Sequence, residues 1–202
     1  TEIAPYAFAG AKVSKVTLHE NVTAIGKYAF MNAALTTFDF GGAPISAIEE
    51  GTFYGSKLTA IDLSGVTYVG DGAFARSAIR TFTSSGLTEL GNGVFSGCEN
   101  LATVGISDVK KMGDRVFVGC ISLESITIPA VTEMGAYTFY GASSLTEVTV
   151  AEGAKTLGEY TFIGTPVVTV NMLSNDITAI EKGAFCQAAA LTDLTLPASV
   201  KR

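Results

Sequence analysis

Residues 112–129 read MGDRVFVGCISLESITIP: an aliphatic side chain five places before a phenylalanine, a glycine two places after it, and a leucine leading into the alternating Ile126-Thr127-Ile128. The same pattern returns along the whole chain. Phenylalanines stand at 8, 30, 53, 74, 95, 117, 139, 162 and 185, at intervals of 21 to 23 residues. Self-similarity at such a period marks a stacked-repeat architecture. Nine units follow, and they predict a single array over residues 1–202, cut within a repeat at both ends.

Each slot of the repeat has a chemical preference. Five residues before Phe stand Ile3, Ile25, Ile48, Val69, Leu90, Met112, Met134, Leu157 and Ile180, none of them polar. Two residues after Phe, glycine recurs, with Asn32 once, as a left-handed turn requires. Arg76 and Gln187 break that rule, so their turns are expected to differ. The segments Leu58-x-x-Ile61-x-Leu63, Leu101-x-x-Val104-x-Ile106 and Leu145-x-x-Val148-x-Val150 end with the period of a short half-buried strand. One strand per repeat, a turn, a short helical or 3₁₀ segment around x-x-Ala-Phe and a return are therefore expected. A single unit cannot bury its own apolar side, whereas stacked units supply neighbours above and below. The fold class is an α/β repeat solenoid with a parallel sheet on one face and helical or 3₁₀ turns on the other. At ~4.8 Å per rung it makes a curved rod on the order of 40 Å long, with the phenylalanines stacked inside.

Composition narrows the functions. Hydrophobic residues make up 48% of the 202 and charged residues 16%, with 22 glycines and no tryptophan, which suits closely stacked β structure. Net charge is -6, and the cations are scattered except for Lys110-Lys111. Nucleic acid is excluded as a partner because polyphosphate binding needs clustered positive charge. No apolar run approaches the ~18–20 residues that span a bilayer, so direct membrane insertion is not expected. The chain opens on Thr1 without a signal sequence, which points to a processed chain or an excised segment and leaves the compartment open.

In consensus the repeat is I-G-x-x-A-F-x-G-C-x-x-L-x-x-V-x-L-P, and residues 112–129 match it nearly position for position. It closely resembles the BspA-like class of leucine-rich repeats, over essentially the whole chain. That resemblance implies a leucine-rich-repeat superhelix. It also implies an extracellular or cell-surface setting, since members are mostly surface or secreted proteins of host-associated bacteria linked to adhesion and aggregation. Ser84 and Gly105 depart from the family pattern, so the sheet is expected to be locally weaker around them. No polar capping module closes either end, which implies a fragment of a longer protein, or end-to-end self-association through uncapped repeats.

Candidate chemistry lies on the outward face of the strands. Thr17, Asp39, Asp62, Thr83, Gly105, Thr127, Thr149, Asn171 and Thr195 point out, joined by a preceding row that includes Lys15 and Glu147. Thr17, Asp39, Asp62, Thr83, Thr127, Thr149, Asn171, Thr195 and Glu147 are the candidate ligand-binding residues, because a row of hydroxyls can hydrogen-bond peptide or glycan. The competing reading is that Thr simply suits a solvated strand. An ice-binding threonine ladder is disfavoured by the interruptions at Asp39, Asp62 and Gly105. Asp39 and Asp62 should occupy adjacent rungs about 5 Å apart and repel, and two carboxylates are too few for calcium.

Other groups carry less. Cys98 and Cys120 share a slot that otherwise holds small residues, so they read as buried thiols, with an inter-rung disulfide as the alternative and Cys186 as an intermolecular thiol. His19 is the only histidine, which removes Ser-His-Asp, Cys-His and His-rich zinc chemistry. Gly70-Asp71-Gly72 and Gly91-Asn92-Gly93 are repeat turns, not phosphate loops, and Asn21-Val22-Thr23 is a formal glycosylation sequon. No nucleophile, base and oxyanion site assemble, and no cofactor or metal is expected. The sequence therefore predicts a non-enzymatic, adhesin-like scaffold for a host or bacterial surface protein or glycan. The alternative is a structural spacer carrying other domains.

Overall fold

A computed structural model describes residues 1–201. The chain winds as a parallel β-solenoid whose strands pair in register from coil to coil, in six separate sheets. Two ladders run along it rather than one. The first consists of two-residue strands that place the aliphatic slot before each phenylalanine, for example Ala47–Ile48, Tyr68–Val69, Glu89–Leu90, Lys111–Met112 and Glu133–Met134. The second carries the alternating segments: Lys15–Thr17 with Thr37–Asp39, Thr81–Thr83 with Thr103–Gly105, and Ser125–Ile128 with Glu147–Val150 and Thr169–Met172.

Among the described residues no helix forms, so the expected helical or 3₁₀ segment around x-x-Ala-Phe is corrected to a stack of tight turns. The hydrogen bonds explain why. Ala29, Met31 and Ala33 donate within their own coil to residues three places back. The intervening amides of Tyr28, Phe30 and Asn32 donate outward, to the carbonyls of Glu50, Thr52 and Tyr54 in the next coil, at 2.9, 2.9 and 2.6 Å. An α-helix needs every amide for its own turn. Here alternate amides belong to the neighbour, and the backbone turns left-handed twice per coil to present them. Tyr6, Tyr28, Arg115, Tyr137 and Tyr160 sit at positive φ two residues before Phe, in the slot where other coils have glycine.

Two residues after Phe, Arg76 (φ 56°) and Gln187 (φ 58°) adopt the same left-handed turn as Gly97 (φ 71°). The expectation that these turns differ is overturned. The inter-coil bond from Arg76 N to Ser96 O at 2.8 Å holds the conformation whatever side chain is present. A non-glycine residue there costs roughly 1–2 kcal/mol, partly offset by glycine's greater entropy loss on folding. Arg76→Gly should therefore raise stability by about 0.5–1 kcal/mol in chemical denaturation; a loss of stability would show that the Arg76 side chain outweighs the strain.

The core is continuous along the rod. Successive repeat phenylalanines stack nearly parallel from Phe8 to Phe185, with centroids 5.1 to 5.9 Å apart, in the offset-stacked range favoured by aromatic quadrupoles. Phe30, Phe53, Phe74, Phe95, Phe117, Phe139 and Phe162 are fully buried; Phe8 is 40% exposed and Phe185 half-buried. Phe38 and Phe82 enter from the strand face and meet the stack edge-on, at 4.9 Å from Phe53 and 4.5 Å from Phe95. Four residues before Phe, Gly26, Gly70, Gly91, Gly113, Gly135 and Gly158 let one coil lie against the backbone of the coil before it.

Candidate binding face

Alternation in the second ladder turns one row of side chains inward and leaves the other in water. Val16, Phe38, Phe82, Ile126 and Val148 pack inward, while Thr17, Asp39, Thr83, Thr127 and Asn171 are exposed and Thr149 half-buried. Register aligns the outward row: Thr17 with Asp39, Thr83 with Gly105, and Thr127 with Thr149 and Asn171. Glu147 stands between Ser125 and Thr169 in the adjacent row. Two candidate residues lie off the ladder. Asp62 and Thr195 occupy the corresponding slots of coils where no strand forms, so neither has the strand placement predicted for it.

The face is broken on both sides of the pair Thr81–Thr83 and Thr103–Gly105. Ser84 and Gly105 do mark the weak region, but Thr83 and Gly105 pair with each other and the ladder opens at the coils beyond them. Asp39 and Asp62 line one shallow pocket, but each carboxylate bonds within its own coil. Asp39 Oδ1 accepts from Gly41 N at 2.9 Å, and Asp62 Oδ1 accepts from Ser64 N at 2.9 Å and Ser64 Oγ at 2.6 Å. Each caps its own turn. The Ser64 bonds hold the Asp62 carboxyl below the usual carboxylate range. Among the described residues no group of three or more His, Cys, Asp or Glu side chains is placed to hold a metal ion.

The model of the BspA type leucine rich repeat region matches residues 1–102 and 110–202, in six copies. The chain belongs to the BspA-type leucine-rich-repeat family. Among solved structures, this BspA-type chain is similar to the T. pallidum leucine-rich-repeat protein TpLRR, at 23% identity and a TM-score of 0.72, over 95% of this chain and 83% of that one. It is also similar to a leucine rich cell surface protein of Faecalibacterium prausnitzii, at 20% identity and a TM-score of 0.61, over 99% of this chain and 72% of that one. A leucine-rich-repeat protein of Bacteroides ovatus aligns at 24% identity and a TM-score of 0.52, over 99% and 71%. These likenesses show the fold. No curated protein matches. Leucine-rich-repeat proteins are in general non-catalytic scaffolds.

The BspA-type coil also joins side chains that the sequence reading took as no more than turn residues or did not single out. Asp71, Asn92 and Asp114, three residues before successive phenylalanines, form a side-chain ladder on the turn edge. Asp71 Oδ1 accepts from Asn92 N at 2.7 Å, Asn92 Oδ1 from Asp114 N at 2.9 Å, and Asp114 Oδ1 from Ala136 N at 2.8 Å. Their recurrence at one slot was the available signal. On the same edge Tyr6 stacks on Tyr28 at 5.1 Å, and Tyr137 on Tyr160 at 5.0 Å with Arg115 over the Tyr137 ring. Tyr28 Oη donates to Glu50, whose other oxygen pairs with Lys27 Nζ at 3.1 Å. The Glu50 hydrogen bond, then burial, push the Tyr28 hydroxyl up to about 12, while Tyr28 and Lys27 hold the Glu50 carboxyl down.

All three cysteines are free. Cys98 Sγ donates to Phe74 O at 3.0 Å and Cys120 Sγ to Phe95 O at 3.3 Å. Burial pushes the Cys98 thiol up to about 11 and Cys120 well above the ordinary thiol range. Only the thiolate is nucleophilic. An aromatic disulfide reagent should therefore titrate exposed Cys186 alone in the native chain, and Cys98 and Cys120 only after denaturation; rapid native reaction of all three would contradict the buried slot.

Proposed function

We propose that this chain is a non-enzymatic binding module of an extracellular or cell-surface protein, adhesin-like in role, holding a protein or glycan of a host or bacterial surface against its strand face. One observation carries the reading: outward polar side chains, Thr127, Thr149 and Asn171 together, held in register on a stacked backbone, whose ordering cost is met by folding and not by association. The setting is supported by the family and by the likeness to a solved protein described as a leucine rich cell surface protein.

The test is capture of surface proteins and glycans by the purified chain, compared with the double variant Thr127→Glu/Thr149→Glu. These residues are neighbours on adjacent coils, so two carboxylates there repel each other and any acidic ligand without touching the core. Capture lost in the variant supports the reading. No capture by either chain favours the spacer.

A further inference from the structure

The span that carries each coil from the turn after its phenylalanine to the start of the alternating segment changes sign along the rod. In the first four coils these spans (10–15, 32–37, 55–60 and 76–81) hold Lys12, Lys15, Lys57, Arg76 and Arg80 and no acid. In the last five (97–103, 119–125, 141–147, 164–169 and 187–193) they hold Glu99, Glu124, Glu147 and Asp193 and no base. All of these charged side chains are exposed. The pairing of Lys15 with Thr37, Thr81 with Thr103 and Ser125 with Glu147 keeps the spans on one edge. Asp39 and Asp62 lie just past that edge, each bonded to the turn that follows it.

Charges elsewhere are arranged differently. The three ion pairs among the described residues, Lys27–Glu50, Lys111–Glu133 and Lys155–Asp176, set opposite signs on successive coils, and none of them uses a charge of this edge. Here successive coils present like charges instead, Arg76 after Lys57 and Glu147 after Glu124, and like charges on neighbouring rungs repel. The sign changes where Lys57, Arg76 and Glu99 border one hollow. Within one chain this sorting destabilises; across two chains it is complementary.

A straight edge with a positive and a negative half matches itself when reversed. Turned end for end about a two-fold axis at the fifth coil, coil four would lie against coil six, three against seven and one against nine. Arg80 then meets Glu124, Lys57 meets Glu147, and Lys12 and Lys15 meet Asp193, each contact made twice by symmetry. The edges of coils two and eight, which meet each other, carry no charge. Ile121, a large apolar side chain left 44% exposed on this edge, comes opposite Ala78, the small residue in the same slot of coil four. We infer that this edge docks a second copy of the chain, side by side and antiparallel. Such an interface is isologous and closes at two copies. Nine coils at ~4.8 Å and a strip about 15 Å wide put roughly 1,200 Å² into it, at the small end of specific associations. Complementary charge then fixes register and orientation.

Sedimentation velocity on the purified chain, with thermal melts to confirm folding, tests the pairing. At low salt the parent should sediment as two chains of 20.9 kDa with no larger species as concentration rises, and added salt should weaken the pair at least tenfold by screening exposed charges. Lys57→Glu/Arg80→Glu and Glu124→Lys/Glu147→Lys should each melt like the parent and each lose self-association at least tenfold. An equimolar mixture of these two variants should restore the two-chain species, since each supplies the sign that the other lacks. A parent that stays monomeric at low salt, variants that still pair alone, or a mixture that stays monomeric overturns the inference. A mass that climbs steadily with concentration overturns it in favour of end-to-end stacking. Pairing does not depend on the binding-module reading: capture by Thr127→Glu/Thr149→Glu is scored separately, so either can fail alone.

Discussion

Phe117→Ala should lose about 3–5 kcal/mol of stability, the cost of removing a fully buried aromatic ring that neighbours cannot replace. Phe117 is completely enclosed, 5.4 Å from Phe95 and 5.5 Å from Phe139. Its Cβ–ring volume cannot be refilled, because the flanking rings are held at coil spacing by the backbone ladder on either side. Stability in a solenoid is close to a sum over coils and their interfaces, so one hole weakens two interfaces and divides the array. Thermal melting should show the loss, and hydrogen exchange should place the new opening in the coils around residues 95 to 139. The same truncation at Phe8, which is 40% exposed, should cost far less. A Phe117→Ala chain melting with the parent would mean that the stacked rings do not hold the coils together.

Gly113→Ala should be nearly as damaging for the opposite reason, an added atom. A Cβ at Gly113 would lie 2.7 Å from Gly91 C and 2.8 Å from Asn92 N, and these are backbone atoms of the preceding coil that cannot swing aside. The coils would have to part, straining the bond from Gly113 N to Leu90 O at 2.9 Å and that from Asp114 N to Asn92 Oδ1 at 2.9 Å. Overpacking of this kind costs roughly 1–3 kcal/mol. Gly105→Ala provides the contrast. The nearest atoms to its Cβ are Thr83 Cγ2 at 3.1 Å and Thr83 Cβ at 3.6 Å, a side chain with room to give, and alanine in a strand is favoured over glycine by about 0.5–1 kcal/mol, so that variant should be as stable as the parent or more so. Denaturant midpoints of the two alanine variants check both; equal effects would refute the close-approach argument.

Much of this molecule can be read along one coil. The spacing of Phe8 to Phe185, the aliphatic slot before each ring and the alternation at Ile126-Thr127-Ile128 specify which side chains must be inside. That in turn requires stacking, because a coil of 21 to 23 residues has no other way to cover them. The outward row of Thr127, Thr149 and Asn171 is legible for the same reason, since alternation in an extended chain is a local property.

What the tertiary structure decided depends on the coil next door. A turn segment expected to be helical is not, because the carbonyls of Glu50, Thr52 and Tyr54 claim the amides of Tyr28, Phe30 and Asn32. Arg76 and Gln187 take a glycine conformation, which for Arg76 the bond to Ser96 holds in place. Asp39 and Asp62 each cap their own turn, through the amides of Gly41 and Ser64. The ladder opens at Ile61–Leu63, although that segment's pattern is as regular as its neighbours'. Local periodicity thus determines which face of each coil is apolar. Hydrogen bonds and close approach between coils, involving residues about 22 apart in the chain, settle the backbone conformation of the turns and where the strand face is left open.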